Sequence, residues 1–273
     1  MGFDEWAETV GEKPKRQGRP LRVLLFDIET APMLAYLWGL RHQEYIHHGQ
    51  VVHDSFMLCW SARWRGEKTI HSGTLTPVEA VAQADERILI DLADLVREAD
   101  IICGHNVKGF DAKMLKNRLL LLELEDIGPT QKLDTLILAR RNFRLASNRL
   151  DYLGEVLGVG RKHKHSGFDL WKRCYQGEQK ALDEMLAYNR QDVVLLGKVL
   201  ERLLPYCDGV PRLMDGDGSS LDGGCPFCGG PVAKDGFYRT NASTFQKVRC
   251  SQCGKWSRWH TAIAGKKQRL RPL

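Results

Sequence analysis

An α/β domain followed by a small metal-stapled unit is what this sequence predicts, and three observations carry that prediction. Short apolar runs with strand character alternate with longer stretches of helical periodicity over residues 21–207. A glycine- and aspartate-rich stretch, 208–224, then interrupts all periodicity. Beyond it stand two Cys-x-x-Cys pairs.

The elements follow in chain order. Residues 1–20 are polar, basic and aperiodic, and are expected to be a flexible lead-in. The run 22–28, RVLLFDI, is apolar enough for a buried central strand. Two further strand-like runs, SFMLCWSARW and KTIHSG, flank Arg65-Gly66-Glu67, which has turn chemistry. Three strands in antiparallel order can follow from this. Residues 77–98 carry Val78, Val81, Ile88, Leu92, Leu95 and Val96 at helical spacing and predict one helix. Asp100 to Cys103 reads as a short buried strand, 109–122 as a helix, Lys132 to Asp134 as a strand end and 135–142 as a helix. Ser147 is a plausible cap for a helix that stops at Gly158. A long helix is expected over 178–204.

The linker 208–224 holds five glycines, four aspartates and two serines. It places a domain boundary between residues 21–207 and a unit over 225–262, which ends in a basic tail, 263–273. Charge divides at the same place. The whole chain is +6, but from Cys225 onward ten basic residues face one acid, a net +9, which leaves the first 224 residues at −3. A basic appendage on a slightly acidic body suggests a polyanionic partner.

With 43% hydrophobic and 27% charged residues, the composition is that of an ordinary globular protein. No apolar run is long enough to span a bilayer, and the first residues lack the apolar core of a secretory signal. A cytoplasmic protein with no membrane partner is therefore expected. Of eight cysteines, Cys59, Cys103, Cys174 and Cys207 show no pairing pattern and fit a reducing compartment. The other four form Cys225-x-x-Cys228 and Cys250-x-x-Cys253, with 21 residues between the pairs. Four thiolates at this spacing match one structural, tetrahedral Zn²⁺ with no open position for catalysis. So small a unit cannot bury much core, so the metal is expected to supply most of its folding energy. Its basic residues are interleaved with Phe237, Tyr238, Phe245, Trp256 and Trp259. That mixture suits phosphate contact and base stacking, the favoured reading; the alternatives are that the aromatics form a mini-core or that the unit docks a protein.

Three short motifs in the larger domain carry chemistry. Asp27-Ile28-Glu29-Thr30 ends the first strand, and residues two apart on a strand point the same way. Two adjacent carboxylates repel, and a hard divalent cation such as Mg²⁺ or Mn²⁺ removes that penalty. Gly104-His105-Asn106-Val107-Lys108-Gly109-Phe110-Asp111 follows a strand and leads into a helix, with Asp111 in its first turn. A helix dipole alone would explain an acid there. Tyr188-Asn189-Arg190-Gln191-Asp192 sits on the long helix, where residues four apart share a face. Each motif alone has a bland explanation: a strand end, a helix start, a solvated helix surface.

Together and in this order the three resemble the motifs of DEDD exonucleases, and the tyrosine at 188 resembles the DEDDy branch. That family includes DnaQ-like exonucleases, the proofreading domains of family B DNA polymerases and stand-alone phage- or bacterium-encoded members. The resemblance covers about residues 21–206. It implies a ribonuclease-H-like fold, a mixed sheet flanked by helices. It implies a 3′→5′ exonuclease, a hydrolase of phosphodiester bonds that releases nucleoside monophosphates. Two Mg²⁺ or Mn²⁺ ions would be held with Asp27 bridging both, Glu29 and Asp192 completing one site, and Asp111 serving the other directly or through water. Water would be activated at one ion and the leaving 3′ oxygen stabilised at the other. Tyr188 would orient that water. Thr30, His105, Asn106 and Phe110 are the candidates for contacting the terminal nucleotide. The substrate is expected to be nucleic acid, with single-stranded DNA favoured and RNA open. Replication or repair proteins are conceivable partners, and the oligomeric state stays open. A non-catalytic binding module, an endonuclease or an exoribonuclease on the same fold are the alternatives.

Other residues pull less strongly. Asp134 suits a supporting or a capping role equally. His163 and His165 suit a basic loop near phosphate or a solvated one. Trp38, Trp60, Trp64 and Trp171 are expected in the core rather than as base platforms.

Overall fold

The computed structural model describes residues 21–39, 45–161, 167–207, 210, 224–225, 230–240 and 243–263. The lead-in 1–20, the basic tail from 264, most of the linker 208–224, His163, His165 and Cys228 lie outside the described residues. Two compact units divide the chain, Arg22–Arg202 and a second that takes in Leu203 onward.

The larger unit is built on a five-stranded sheet in the order β5-β4-β1-β6-β7. Its strands are β1 (Val23–Thr30), β4 (Met57–Trp64), β5 (His71–Thr74), β6 (Ile101–Gly104) and β7 (Gln131–Asp134). β4 runs antiparallel to both β1 and β5. β6 runs parallel to both β1 and β7, so the sheet is mixed. A small antiparallel pair, β2 (Leu34–Ala35) with β3 (Val51–His53), lies between β1 and β4 in sequence. Neither strand was expected, because strands of two and three residues have no periodicity to read.

The helices of this unit are α1 (Pro77–Ala82), α2 (Glu86–Glu98), α3 (Asp111–Leu121), α4 (Thr135–Asn142), α5 (Leu150–Val156), α6 (Phe168–Tyr175) and α7 (Gln179–Leu203). The single helix expected over 77–98 is two. Gln83 adopts a left-handed φ of 59°, and its N–H returns to Ala80 and Glu79, which terminates α1. α1 starts cleanly because Thr76 and Glu79 form a capping box with Pro77 at the first position. Ser147 does not cap α5: Arg149 holds the cap position without a side-chain bond, while the Ser147 hydroxyl, two residues before that cap, accepts from Arg149 N at 3.3 Å.

The two faces of the sheet have different tasks. Leu24, Phe26, Ile28, Trp60, Ala62 and Trp64 are buried with Ile88, Leu89, Leu92, Ala93 and Val96 of α2 and with Ala112, Leu115 and Leu119 of α3. The Trp60 indole donates to Ile88 O at 2.7 Å, so a large apolar ring is buried with its one polar group satisfied. A bidentate ion pair joins Arg118 to the fully buried Asp85, which also accepts Met57 N. The opposite face carries Leu25, Asp27 and Glu29, in register with Arg63, Ser61 and Cys59 of β4. α7 lies across this face. Gly197 faces Leu25 and the Arg63 guanidinium, which a Cβ there would have to displace.

Trp60 and Trp64 are core residues and Trp171 is partly buried, but Trp38 is 98% exposed. The expectation for Trp38 was wrong because the β2–β3 segment adds nothing to either face of the five-stranded sheet. Its apolar residues Met33, Leu34, Tyr36 and Leu37 are exposed as well.

The smaller unit is a three-stranded antiparallel sheet, order β10-β9-β8, with β8 (Val232–Arg239), β9 (Thr244–Cys250) and β10 (Trp256–Ala262). Cys225, Cys250 and Cys253 gather at one end, with their sulfurs mutually within 4.8 Å. This cluster is consistent with a zinc ribbon.

Candidate metal and nucleic-acid site

Three carboxylates meet where β1 faces α7. Asp27, Glu29 and Asp192 each place a ligand oxygen within 4.8 Å of the other two. β1 supplies two of them because its side chains alternate, and Leu25, Asp27 and Glu29 follow one another on the α7 side. A register shift between Glu29 and Thr30 ends the regular pairing with β4 directly after the second acid. α7 supplies the third from a position 1% exposed.

The helix supplies more than a carboxylate. Asn189, three residues before Asp192, is fully buried and donates its amide to Asp27 Oδ2 at 2.8 Å. That bond fixes one oxygen of Asp27 and so the orientation of the other. Sequence reasoning passed over Asn189, although its spacing from Asp192 put both on one helix face. Tyr188, 8% exposed, borders an open cleft of about 660 Å³ with His105, Arg140, Asn148 and Arg149. Three of those lining residues, Arg140, Asn148 and Arg149, had no sequence signal because Arg140 lies on α4 and the other two in the loop after it, and only packing brings them beside Tyr188.

Asp111 reaches the site differently from the other acids. β6 pairs with β1 only as far as Leu25, and the freed N–H of Ile28 is taken by Asp111 Oδ1 at 3.3 Å. Asp111 is therefore tied to the β1 backbone between the two strand acids and stands outside the three-carboxylate cluster. It is 3% exposed, and burial pushes its carboxyl up to about 7 against the pull of the Ile28 and Asp111 N–H groups. The Cys59 thiol, beside these acids on β4, is pushed up by burial first and then by the charges of Glu29 and Asp27. Burial is the main cause of both shifts; the β1 carboxylates add to that of Cys59, and Asp134 adds to that of Asp111.

The loop between β6 and α3 is held by Asp134. Its carboxylate accepts Leu136 N and Ile137 N as the cap of α4, and also Asn106 N at 3.1 Å and Lys108 N at 3.0 Å. Asp134 thus caps a helix and pins the His105–Lys108 loop with the same group. Asn106 takes a left-handed φ of 78°, and its carbonyl accepts from Gly109 and Phe110. Gly109 leaves room for the Asn106 side chain, which a Cβ there would have to displace. His105 Nδ1 lies 2.9 Å from Thr135 Oγ1, whose hydroxyl donates to Gly104 O. Phe110 is 42% exposed beside Asp111, and Thr30 is half-buried at the end of β1.

The donor set fits divalent cations. Three clustered carboxylate charges in a partly buried site repel by on the order of a few kcal/mol per pair, and oxygen-only donors are those that Mg²⁺ and Mn²⁺ select. The cysteine set fits a softer ion. Cys225 Sγ and Cys253 Sγ stand 3.6 Å apart, far beyond a disulfide bond and close to the edge of a tetrahedral zinc–thiolate site, about 3.8 Å. Cys253 N donates to Cys250 Sγ at 3.4 Å, as the turn of a knuckle allows. Gly254 follows it at a φ of 70°.

Comparison with known proteins agrees with this architecture. Residues 24–204 match the RNase H superfamily, and the chain belongs to it. The chain is similar to the structure of the family B DNA polymerase from the hyperthermophilic archaeon Pyrobaculum calidifontis, with a TM-score of 0.50 and 20% identity over 68% of this chain. The match takes in 25% of that polymerase, so this chain corresponds to about a quarter of its length. No curated protein matches the chain. Among the described residues, no helix is long and apolar enough to cross a membrane.

Proposed function

We propose that this chain is a metal-dependent 3′→5′ exonuclease of the DEDDy kind, acting on nucleic acid, with single-stranded DNA the favoured substrate. Residues 21–207 would form the nuclease domain, 208–224 the linker and 225–262 a Zn²⁺ ribbon. The observation that carries the reading is the convergence of Asp27, Glu29 and Asp192, with Asn189 bonded to Asp27 and Tyr188 one helical turn from Asp192. Membership of the RNase H superfamily supports a nuclease, and the motif order supports the exonuclease branch.

In this reading Asp27, Glu29 and Asp192 hold two Mg²⁺ or Mn²⁺ ions, with Asp111 contributing directly or through water. The chemistry such ions supply is Lewis acidity toward water and toward phosphate oxygen. Asn189 keeps Asp27 in one rotamer, so that its outer oxygen is presented without a search. The Tyr188 hydroxyl orients the attacking water at the mouth of the cleft. Arg140, Arg149 and His105 face the phosphates of the last residues, and Asn106, Phe110 and Thr30 border the terminal nucleotide. Ionised Asp111 is needed for metal, so a carboxyl resting near 7 couples metal uptake to proton release.

A time course on 5′-labelled single-stranded DNA and RNA of one sequence tests the reading, run with Mn²⁺, Mg²⁺ or EDTA and beside Asp192→Ala. A metal-dependent ladder that shortens from the 3′ end, and is absent in the variant, is expected. Retained binding without cleavage of either strand would replace it with a non-catalytic binding module.

A further inference from the structure

The three-stranded sheet of the smaller unit has two unlike faces. Register pairs Phe245 with Tyr238, Lys247 with Arg258, and Arg249 with Trp256. These residues alternate along β9 and β10, so all six share one face. Val248 and Cys250 point the other way and are buried. The shared face is open: Tyr238 and Trp256 are exposed, Arg249 and Arg258 are exposed, and Phe245 and Lys247 are half-buried.

Cations and rings on this face are already stacked on each other. Lys247 Nζ lies 4.2 Å and the Arg249 guanidinium 5.4 Å from the centre of the Trp256 ring. The Arg258 guanidinium lies 3.7 Å above Phe245 and 5.5 Å from Tyr238. Among the described residues, none of these three cations makes an ion pair. A solvated basic surface ordinarily pairs its cations with nearby acids, yet β8, β9 and β10 contain only Asp235, at an irregularity in β8. Three positive charges are thus left uncompensated among three aromatic faces.

We propose that this face binds single-stranded nucleic acid. Phosphates meet Lys247, Arg249 and Arg258, and bases stack on Trp256, Phe245 and Tyr238. Charge complementarity selects a polyanion, and flat rings between the cations select one that carries unpaired bases. A double helix hides its base faces and would use only the cations. An acidic protein surface would likewise have no use for the rings. This binding is independent of the carboxylate site, so it stands or falls separately from the exonuclease reading.

The test uses the full-length, zinc-loaded protein and a fluorescein-labelled single-stranded DNA of about 20 nucleotides, long enough for a stacking platform. Anisotropy is titrated over a salt series without added Mg²⁺ or Mn²⁺, and probe length is checked after each titration. That check keeps a cleavage result separate from a binding result. Replacing Lys247, Arg249 and Arg258 together with Gln should lower the slope of log affinity against log salt by about 2, because each single-strand phosphate contact contributes about 0.7. Trp256→Ala should weaken binding about 10-fold, within the usual range for a stacked base, and leave the slope unchanged. Zinc content should be unaltered, since the substituted side chains face away from Val248 and Cys250. Arg249→Gln with Arg258→Gln, both at exposed positions, gives a second variant that tests the slope if the triple variant loses zinc. Unchanged affinity and slope in folded variants would overturn the proposal. So would polyglutamate competing as well as the oligonucleotide while Trp256→Ala has no effect, which would assign the face to an acidic protein.

Discussion

The carboxylate cluster and the cysteine cluster are held in opposite ways. Asp27, Glu29 and Asp192 stand on the central strand and the longest helix of a unit whose opposite sheet face is packed with apolar side chains. Their positions are set by packing that exists without any ion. Cys250 and Cys253 lie at the end of β9 and the turn after it, and Cys225 sits before β8; from Cys225 onward, the buried side chains among the described residues are those of Cys225, Val248, Cys250 and Lys255. There the positions of the ligands and the fold are the same problem. One cluster is a device placed on a finished scaffold, and the other is part of its own scaffold.

The largest expected effect is on chemistry. Asp27→Ala should reduce cleavage by about 10³-fold or more, the scale of several kcal/mol of lost charge stabilisation, while the melting temperature of the Arg22–Arg202 unit holds or rises. Kinetics beside calorimetry would check both. Next is zinc removal. Chelation, or Cys250→Ser, should unfold β8–β10 and leave the larger unit's amide exchange unchanged, since thiolate sites of this kind supply folding energy outright. A ribbon that kept its exchange protection without metal would remove the contrast.

Asn189→Ala should have a smaller effect. The substitution leaves every proposed ligand in place and removes the bond that orients Asp27. Metal affinity or activity should fall about 10- to 100-fold, the usual cost of a lost supporting bond, and Asn189→Gln should not restore it because the longer amide overshoots. Metal titration read by intrinsic fluorescence would measure it.

The smallest effect is on stability against pH. The Asp111 carboxyl titrates near 4 when unfolded and is pushed up to about 7 by burial in the fold. The folded chain therefore holds this proton more tightly than the unfolded one. Its contribution to stability is fully present below pH 4 or so and is lost as pH rises through about 7. Metal-free protein should accordingly be less stable at pH 8 than at pH 5 through this group, and Asp111→Asn should flatten the difference. Denaturant midpoints across that window would show it.

Much of the fold was readable from the chain because local and tertiary signals agree. The apolar run ending in Asp27 and Glu29 is a central strand, and α4 begins where Asp134 can cap it. The failures came where an isolated backbone event or a distant partner decides the outcome. Gln83 breaks a continuous apolar period with one left-handed residue. β2 and β3 are too short to carry a pattern, and with them Trp38 left the core. α6, at eight residues, was likewise not anticipated. In the site, the shared face of Asp27 and Glu29 follows from strand alternation alone. Asn189 was not singled out because its role depends on Asp27, 162 residues away. Arg140 and Arg149 border Tyr188 only once α4, α5 and α7 have packed.

The exonuclease assignment is tested most directly by one reaction tube that holds linear and covalently closed circular single-stranded DNA, with Mn²⁺ and the full-length protein. Linear DNA consumed to mononucleotides while the circle stays intact is the predicted result, because the site is proposed to take a free 3′ end. Nicking of the circle at a comparable rate would contradict it and make the same carboxylates the centre of an endonuclease.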